Sequence, residues 1–143
     1  MRVFLDTNVI VGAVAARGLC ADLVREVLAR HELVVSEVLL DEVRTVLTGK
    51  IGVPRDIVSE VIALLRDGGV MARPELIHSL PGCDCADSAL ISAAIHGKAA
   101  LFVTGGRKLL ELPAALAATG GPGSPGTLGI VSPREFWNRL RKT

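Results

Sequence analysis

The chain has 143 residues, half of them apolar, and a net charge of +1. That is enough for one domain with a sizeable core, and too balanced a charge for a partner held by a broad basic field. The aromatic residues are Phe4, Phe102, Phe136 and Trp137, with no tyrosine, so Leu, Val, Ile and Ala must build the core and single-strand recognition by aromatic stacking is disfavoured. Cys20, Cys83 and Cys85 are an odd number with no disulfide framework, no signal segment leads the chain, and no apolar run approaches the roughly 18 residues of a membrane span. These features predict a cytoplasmic chain in a reducing compartment, with no membrane partner.

Val3-Phe4-Leu5, ended by Asp6-Thr7-Asn8, reads as a buried strand. Helices are expected from Val9 to Ala16 and from Ala21 to Arg30, followed by a strand at Glu32 to Val35. Ser36 can cap a helix to about Thr48, with Gly49 as its stop. Pro54 opens a helix from Arg55 to Arg66 that stops at Gly68-Gly69, and Val70-Met71-Ala72 reads as a weak strand. Asp84 can cap a helix from Cys85 to His96, closed by Gly97. Ala100 to Val103 is a fourth strand, and a short helix is expected at Lys108 to Leu112. Thr119 to Gly129, rich in glycine and broken by Pro122 and Pro125, is expected to be a mobile loop outside the core. Ile130-Val131 is a last short strand, and a helix starting near Pro133 runs to Arg141. Alternating strands and helices imply a single-domain, three-layer α/β/α sandwich over residues 1–143, with a mostly parallel sheet of about five strands. In such folds the functional site lies beyond the carboxyl ends of the strands.

Asp6 falls at such an end. It reads equally as a ligand group and as a helix cap. In the helix after Ser36, Leu39, Leu40, Val43, Val46 and Leu47 form one apolar arc at about 100° per residue. Glu42 lies at the edge of that arc, whereas Asp41 points nearly opposite, toward solvent. An inward Glu is costly unless it is paired, bound to a metal, or able to reach solvent along its stem. In the helix from Cys85, the residues Ala86, Leu90, Ile91, Ala93, Ala94 and Ile95 form a broad apolar face. Asp87 falls inside it, and Ser88, Ser92 and His96 fall on the other side. Asp87 is therefore a ligand candidate or a group that stabilises the helix N-terminus, and Asp84 reads as the cap with a secondary claim as a ligand. Three carboxylates held close repel one another, and a hard divalent cation such as Mg²⁺ or Mn²⁺ removes that conflict. A metal so held activates water and stabilises charge on a phosphodiester.

Val3-Phe4-Leu5-Asp6-Thr7-Asn8-Val9, Val34-Val35-Ser36 leading to Leu39-Leu40-Asp41-Glu42-Val43, Asp84-Cys85-Ala86-Asp87-Ser88-Ala89-Leu90-Ile91, Leu101-Phe102-Val103-Thr104-Gly105 and Ile130-Val131-Ser132-Pro133-Arg134-Glu135-Phe136 together resemble the PIN-domain proteins, especially the toxins of toxin–antitoxin pairs. Each piece is short, but the ordered set spans nearly the whole chain. The resemblance implies about five parallel strands with the first one central. It also implies a metal-dependent ribonuclease with Asp6, Glu42 and Asp87 on the first three acidic positions, an RNA substrate, a protein antitoxin and a homodimer. The sequence departs from the pattern at one place, because Gly106 stands where the family usually has an Asp after the fourth strand. This puts a second metal, and full activity, in question.

Asn8, Thr104, Arg107 and Lys108 are candidates for contact with RNA, the last two through phosphates. Cys83, Cys85 and His78 fit no common zinc module. Gly121 to Thr127 lacks the lysine of a phosphate-binding loop. Two other readings stand beside the ribonuclease. One is a catalytically impaired module of the same fold that binds RNA or protein. The other is a receiver-like α/β domain, which has no need of an inward Glu42 and Asp87.

Overall fold

The computed structural model describes residues 1–73, 85–110 and 128–142, and at 85, 86, 107 and 108 the backbone alone. Five strands form one sheet: β1 (Arg2–Leu5), β2 (Glu32–Val35), β3 (Gly69–Met71), β4 (Leu101–Val103) and β5 (Gly129–Val131). Their order is β3-β2-β1-β4-β5, and every neighbouring pair is parallel. Successive side chains of a strand point to opposite faces. Val3, Phe4 and Leu5 are all 0% exposed, so the central strand is covered on both faces. This is the α/β architecture expected from the sequence. Phe4 and Phe102, paired in register across β1 and β4, stack with centroids 5.2 Å apart.

The helices among the described residues are α1 (Thr7–Ala15), α2 (Leu19–Arg30), α3 (Glu37–Thr45), α4 (Arg55–Gly68), α5 (Cys85–His96), α6 (Arg107–Leu110) and α7 (Pro133–Arg141). Ser36 caps α3 by accepting the Leu39 N–H at 3.2 Å, and Ser132 caps α7 by accepting the Glu135 N–H at 3.1 Å. The chain leaves β1 to form β2 and β3 on one side, then crosses to form β4 and β5 on the other. The carboxyl ends of β1 and β4 therefore flank a topological switch point, where open α/β sheets bind ligands.

Three sequence expectations are corrected. The helix after Ser36 does not stop at Gly49. It loosens into a π-helical turn, Val46–Ile51, and ends at Gly52, whose φ of 76° is the left-handed conformation a glycine stop needs. The expected loop to Gly129 is shorter at its end. Leu128 is buried and Gly129 belongs to β5, where a Cβ would lie 2.9 Å from Leu101 Cδ2. The rest of that loop, like Asp84, Cys83 and His78, lies outside the described residues. In α5, Ser88 and Ser92 are buried rather than solvent-facing. Packed against α3, β2 and β4, the helix buries both serines, and of the three residues expected on its polar side only His96 is exposed. Among the described residues no single helix is long and apolar enough to cross a membrane.

Gly97 closes α5 against the sheet. Its N–H donates to Ala93 O at 2.9 Å and its carbonyl accepts from the Arg2 guanidinium at 3.0 Å. A Cβ there would strike Val34 Cγ1 and lie 3.3 Å from the Ala72 Cβ. Gly97→Ala should therefore cost about 1–3 kcal/mol by overpacking. The check is a lowered urea midpoint at unchanged slope, and an unmoved midpoint would show that the backbone yields there.

Candidate active site

Asp6 continues β1 by one residue, its N–H donating to Val103 O at 2.9 Å. Its carbonyl accepts the first helical bonds of α1 from Val9 at 3.0 Å and Ile10 at 3.3 Å. The capping and ligand readings of Asp6 are thus compatible, because the cap position is what aims the side chain beyond the sheet. Its Oδ1 accepts the Thr7 N–H at 2.8 Å and its Oδ2 accepts the Thr104 hydroxyl at 2.7 Å. Asp6 is only 6% exposed. Burial pushes its carboxyl pKa above the ordinary carboxylate value, and the bonds from Thr104 and Thr7 pull against that without cancelling it.

The network extends both ways. Thr104 Oγ1 accepts the Gly106 N–H at 3.0 Å, which leaves its proton for Asp6. The Thr7 hydroxyl donates to Glu42 Oε2 at 2.6 Å. Glu42 reaches this point because Leu39, Leu40 and Val43, all fully buried, anchor α3 and turn its flank toward α1. Asp87 enters from the first turn of α5. Asp6, Glu42 and Asp87 line one open cleft of about 660 Å³, with Thr7, Asn8, Val38, Asp41, Thr45, Val46, Lys50 and Leu90.

The described donors of this cleft are carboxylates, hydroxyls and an amide, with no imidazole or thiolate. That set suits a hard cation such as Mg²⁺ or Mn²⁺. The buried charge of Asp6 and the neighbouring acids also favour one. The side chains do not stand as a closed cage, since among the described residues no three Asp, Glu, His or Cys groups are placed to hold one ion together.

The other expected site residues fall differently. Asp41 is exposed and pairs with Arg44 at 3.3 Å, as a solvent-facing residue should, yet it also stands on the rim of the cleft. Asn8 is exposed on the same rim. Thr104 is 0% exposed and holds Asp6, so it is a supporting residue rather than a surface for RNA. Arg107 and Lys108 open α6, just beyond Gly106. Asp84 lies outside the described residues. Gly106 does not adopt a left-handed φ, and a Cβ there would meet Thr104 Oγ1 at 3.3 Å. Sequence reasoning missed Lys50, whose place in the cleft depends on the π-helical turn.

The PIN-domain family profile matches residues 2–108. The chain therefore belongs to the PIN-domain family, whose members are typically nucleases and generally depend on divalent metal ions. A comparison with curated proteins finds no match.

The raised pKa of Asp6 has a stability consequence in metal-free protein. A carboxyl whose folded pKa is raised binds protons more readily folded than unfolded. Its favourable contribution is complete below the ordinary value of 3.8 and is lost as pH rises through the raised one. Asp6→Asn keeps a capping oxygen for Thr7 but carries no charge. The variant should gain stability relative to wild type as pH rises through that window, and keep the gain at neutral pH. Urea unfolding across the pH series in a chelator measures it. A difference that does not change with pH would show that Asp6 titrates alike in the folded and unfolded chains.

Proposed function

We propose that the protein is a metal-dependent endoribonuclease that hydrolyses RNA phosphodiesters in the cytoplasm, and that it serves as the toxin of a toxin–antitoxin pair. The observation that carries this reading is the meeting of Asp6, Glu42 and Asp87 on one open cleft at the switch point of a PIN-domain sheet. In this reading those three residues are the ligand candidates for Mg²⁺ or Mn²⁺ and would have to draw together on the ion, since they do not stand as a cage without it, and Asp84 is a further candidate. The bound ion would supply an activated water and charge stabilisation at the phosphate. The chain's own contribution is positioning. Thr104 and the Thr7 amide fix both oxygens of Asp6, while the Thr7 hydroxyl orients Glu42. Asn8, Arg107 and Lys108 are the proposed contacts to RNA.

Gly106 bears on the rate. With no carboxylate there, the site lacks one charge and up to two oxygen ligands, which weakens affinity for a hard cation. We therefore expect one weakly held metal and slow cleavage. The alternative is an impaired module that binds RNA or protein without cutting.

Cleavage of a structured RNA over a Mn²⁺ series, with Mn²⁺ binding measured alongside, tests these points together. Asp6→Asn and Glu42→Gln should each lose at least about tenfold in Mn²⁺ affinity, since even groups that only support ligands cost that much. Asp41→Asn should leave affinity within about twofold, because its carboxylate is spent on Arg44 at the rim. Equal losses at 41 and 42 would reassign the ligand. Gly106→Asp should tighten Mn²⁺ and raise the rate, its backbone being compatible with a side chain. A wild type that already cuts at full rate, unchanged by Gly106→Asp, would show the site complete. In a bacterial host, induced wild type should arrest growth and Asp6→Asn should not. Unimpaired growth overturns the toxin reading.

A homodimer and a protein antitoxin belong to the same proposal. Supporting them is an apolar groove of about 580 Å³ between α1, α2 and α4, lined by Val14, Val24, Leu28, Val61 and the 58% exposed Leu64. Light scattering should give twice the mass of one chain, and a monomer at high concentration removes the dimer.

A further inference from the structure

We propose that Lys50 contacts a phosphate of the RNA in the acidic cleft, one that the carboxylates alone would repel; this rests on the ribonuclease reading above. Asp6, Glu42 and Asp87 bring three carboxylates to the cleft, Asp41 on its rim being paired with Arg44, and Lys50 is the one Lys or Arg among its described lining residues. A divalent cation would offset only part of that negative charge. A phosphodiester brings more, so a fixed cation on the wall removes a repulsion that the metal leaves.

The backbone places Lys50 there by a specific device. On an unbroken α-helix, at about 100° per residue, Lys50 lies eight positions and so about 80° around from Glu42. The π-helical turn Val46–Ile51 accommodates one extra residue, with the Gly52 N–H donating to Leu47 O, five residues back. One extra residue returns the phase by about 100°, which brings Lys50 to within roughly 20° of the direction of Glu42. The turn is held at its far end by the left-handed Gly52 and by the Val53 N–H on Leu47 O at 2.8 Å. The Lys50 ammonium has no hydrogen bond or ion pair among the described residues, so its charge is not already spent on the cleft's own acids. A lysine acts on phosphate as a mobile point charge and needs no rigid fork geometry.

The test uses full-length wild type, Lys50→Gln and Lys50→Arg. Lys50 is exposed, so the folded state should tolerate both variants. The probe is a labelled single-stranded RNA oligonucleotide, bound in Ca²⁺ over a salt series, with Mn²⁺ affinity and cleavage kinetics measured in parallel. Lys50→Gln should weaken binding and raise KM by about five- to tenfold at low salt. It should also flatten the slope of log affinity against log salt by about 0.7, the value of one phosphate contact to a single strand. Mn²⁺ affinity should hold or tighten slightly, and Lys50→Arg should restore most of the RNA affinity. A fall in Mn²⁺ affinity in Lys50→Gln would overturn the contact in favour of a structural role. An unchanged salt slope and KM in a variant that still binds Mn²⁺ and cuts would overturn the contact and leave the ribonuclease reading standing. A wild type that binds neither Mn²⁺ nor the oligonucleotide would overturn both.

Discussion

The carboxylate of Asp6, held between the Thr7 amide and the Thr104 hydroxyl, ties the whole site to the sheet. One oxygen starts α1 and the other joins the end of β1 to the end of β4, 98 residues further along the chain. The Gly106 N–H occupies an acceptor position on Thr104, so the hydroxyl proton is committed to Asp6 and the bonds reinforce each other. Thr7, set by the same cap, donates from its side chain to Glu42. Two of the three candidate ligands are thus positioned by consecutive residues of a single strand-to-helix turn, and a shift of Asp6 would carry Glu42's anchor with it.

That arrangement orients the carboxylate without making it comfortable. Hydrogen bonds to an ionised group are worth about 1.5–3 kcal/mol each, and a buried charge costs several. The direction of the Asp6 shift says which effect wins, since burial outweighs both donors. At an exposed position the same bonds would favour the charged form. An under-compensated carboxylate at the carboxyl edge of a sheet, beside further acids on one open cleft, costs stability in the free protein. Local violations of folding rules of this kind are expected at functional sites, where stability is traded for function.

How much of this could be read in advance depended on distance along the chain. Asp6 was legible because a three-residue apolar run ending in an acid is a local signal, and parallel-sheet topology says where such an end points. Glu42 was legible because α3 has a true apolar arc, with Leu39, Leu40 and Val43 all fully buried and Leu47 continuing it in the π-helical turn. In α5 the wheel singled out Asp87 on a premise that the fold did not respect. Ser88 and Ser92 are as buried as the aliphatic residues, so of the expected polar side only His96, at the far end of the helix, is exposed. Asp87 reaches the cleft because it lies in the first turn of a helix that starts at the sheet's edge. Thr104 was read as a contact and is a support, since its role depends on pairing with a strand almost 100 residues away. The π-helical turn was not legible at all, because Thr48-Gly49 looks like a stop and only tertiary packing postpones it to Gly52.

The same constraint explains why Gly106 is a question of charge more than of backbone. Its amide is already in use, holding the Thr104 hydroxyl in the orientation that serves Asp6. Its φ is one that any residue adopts, so nothing in the main chain demands glycine. What glycine spares is the 3.3 Å approach of a Cβ to Thr104 Oγ1, a contact tight enough to press on the hydroxyl that anchors Asp6. A carboxylate at 106 would thus add a ligand while crowding the support of an existing one. The chain keeps the support undisturbed and forgoes the extra charge.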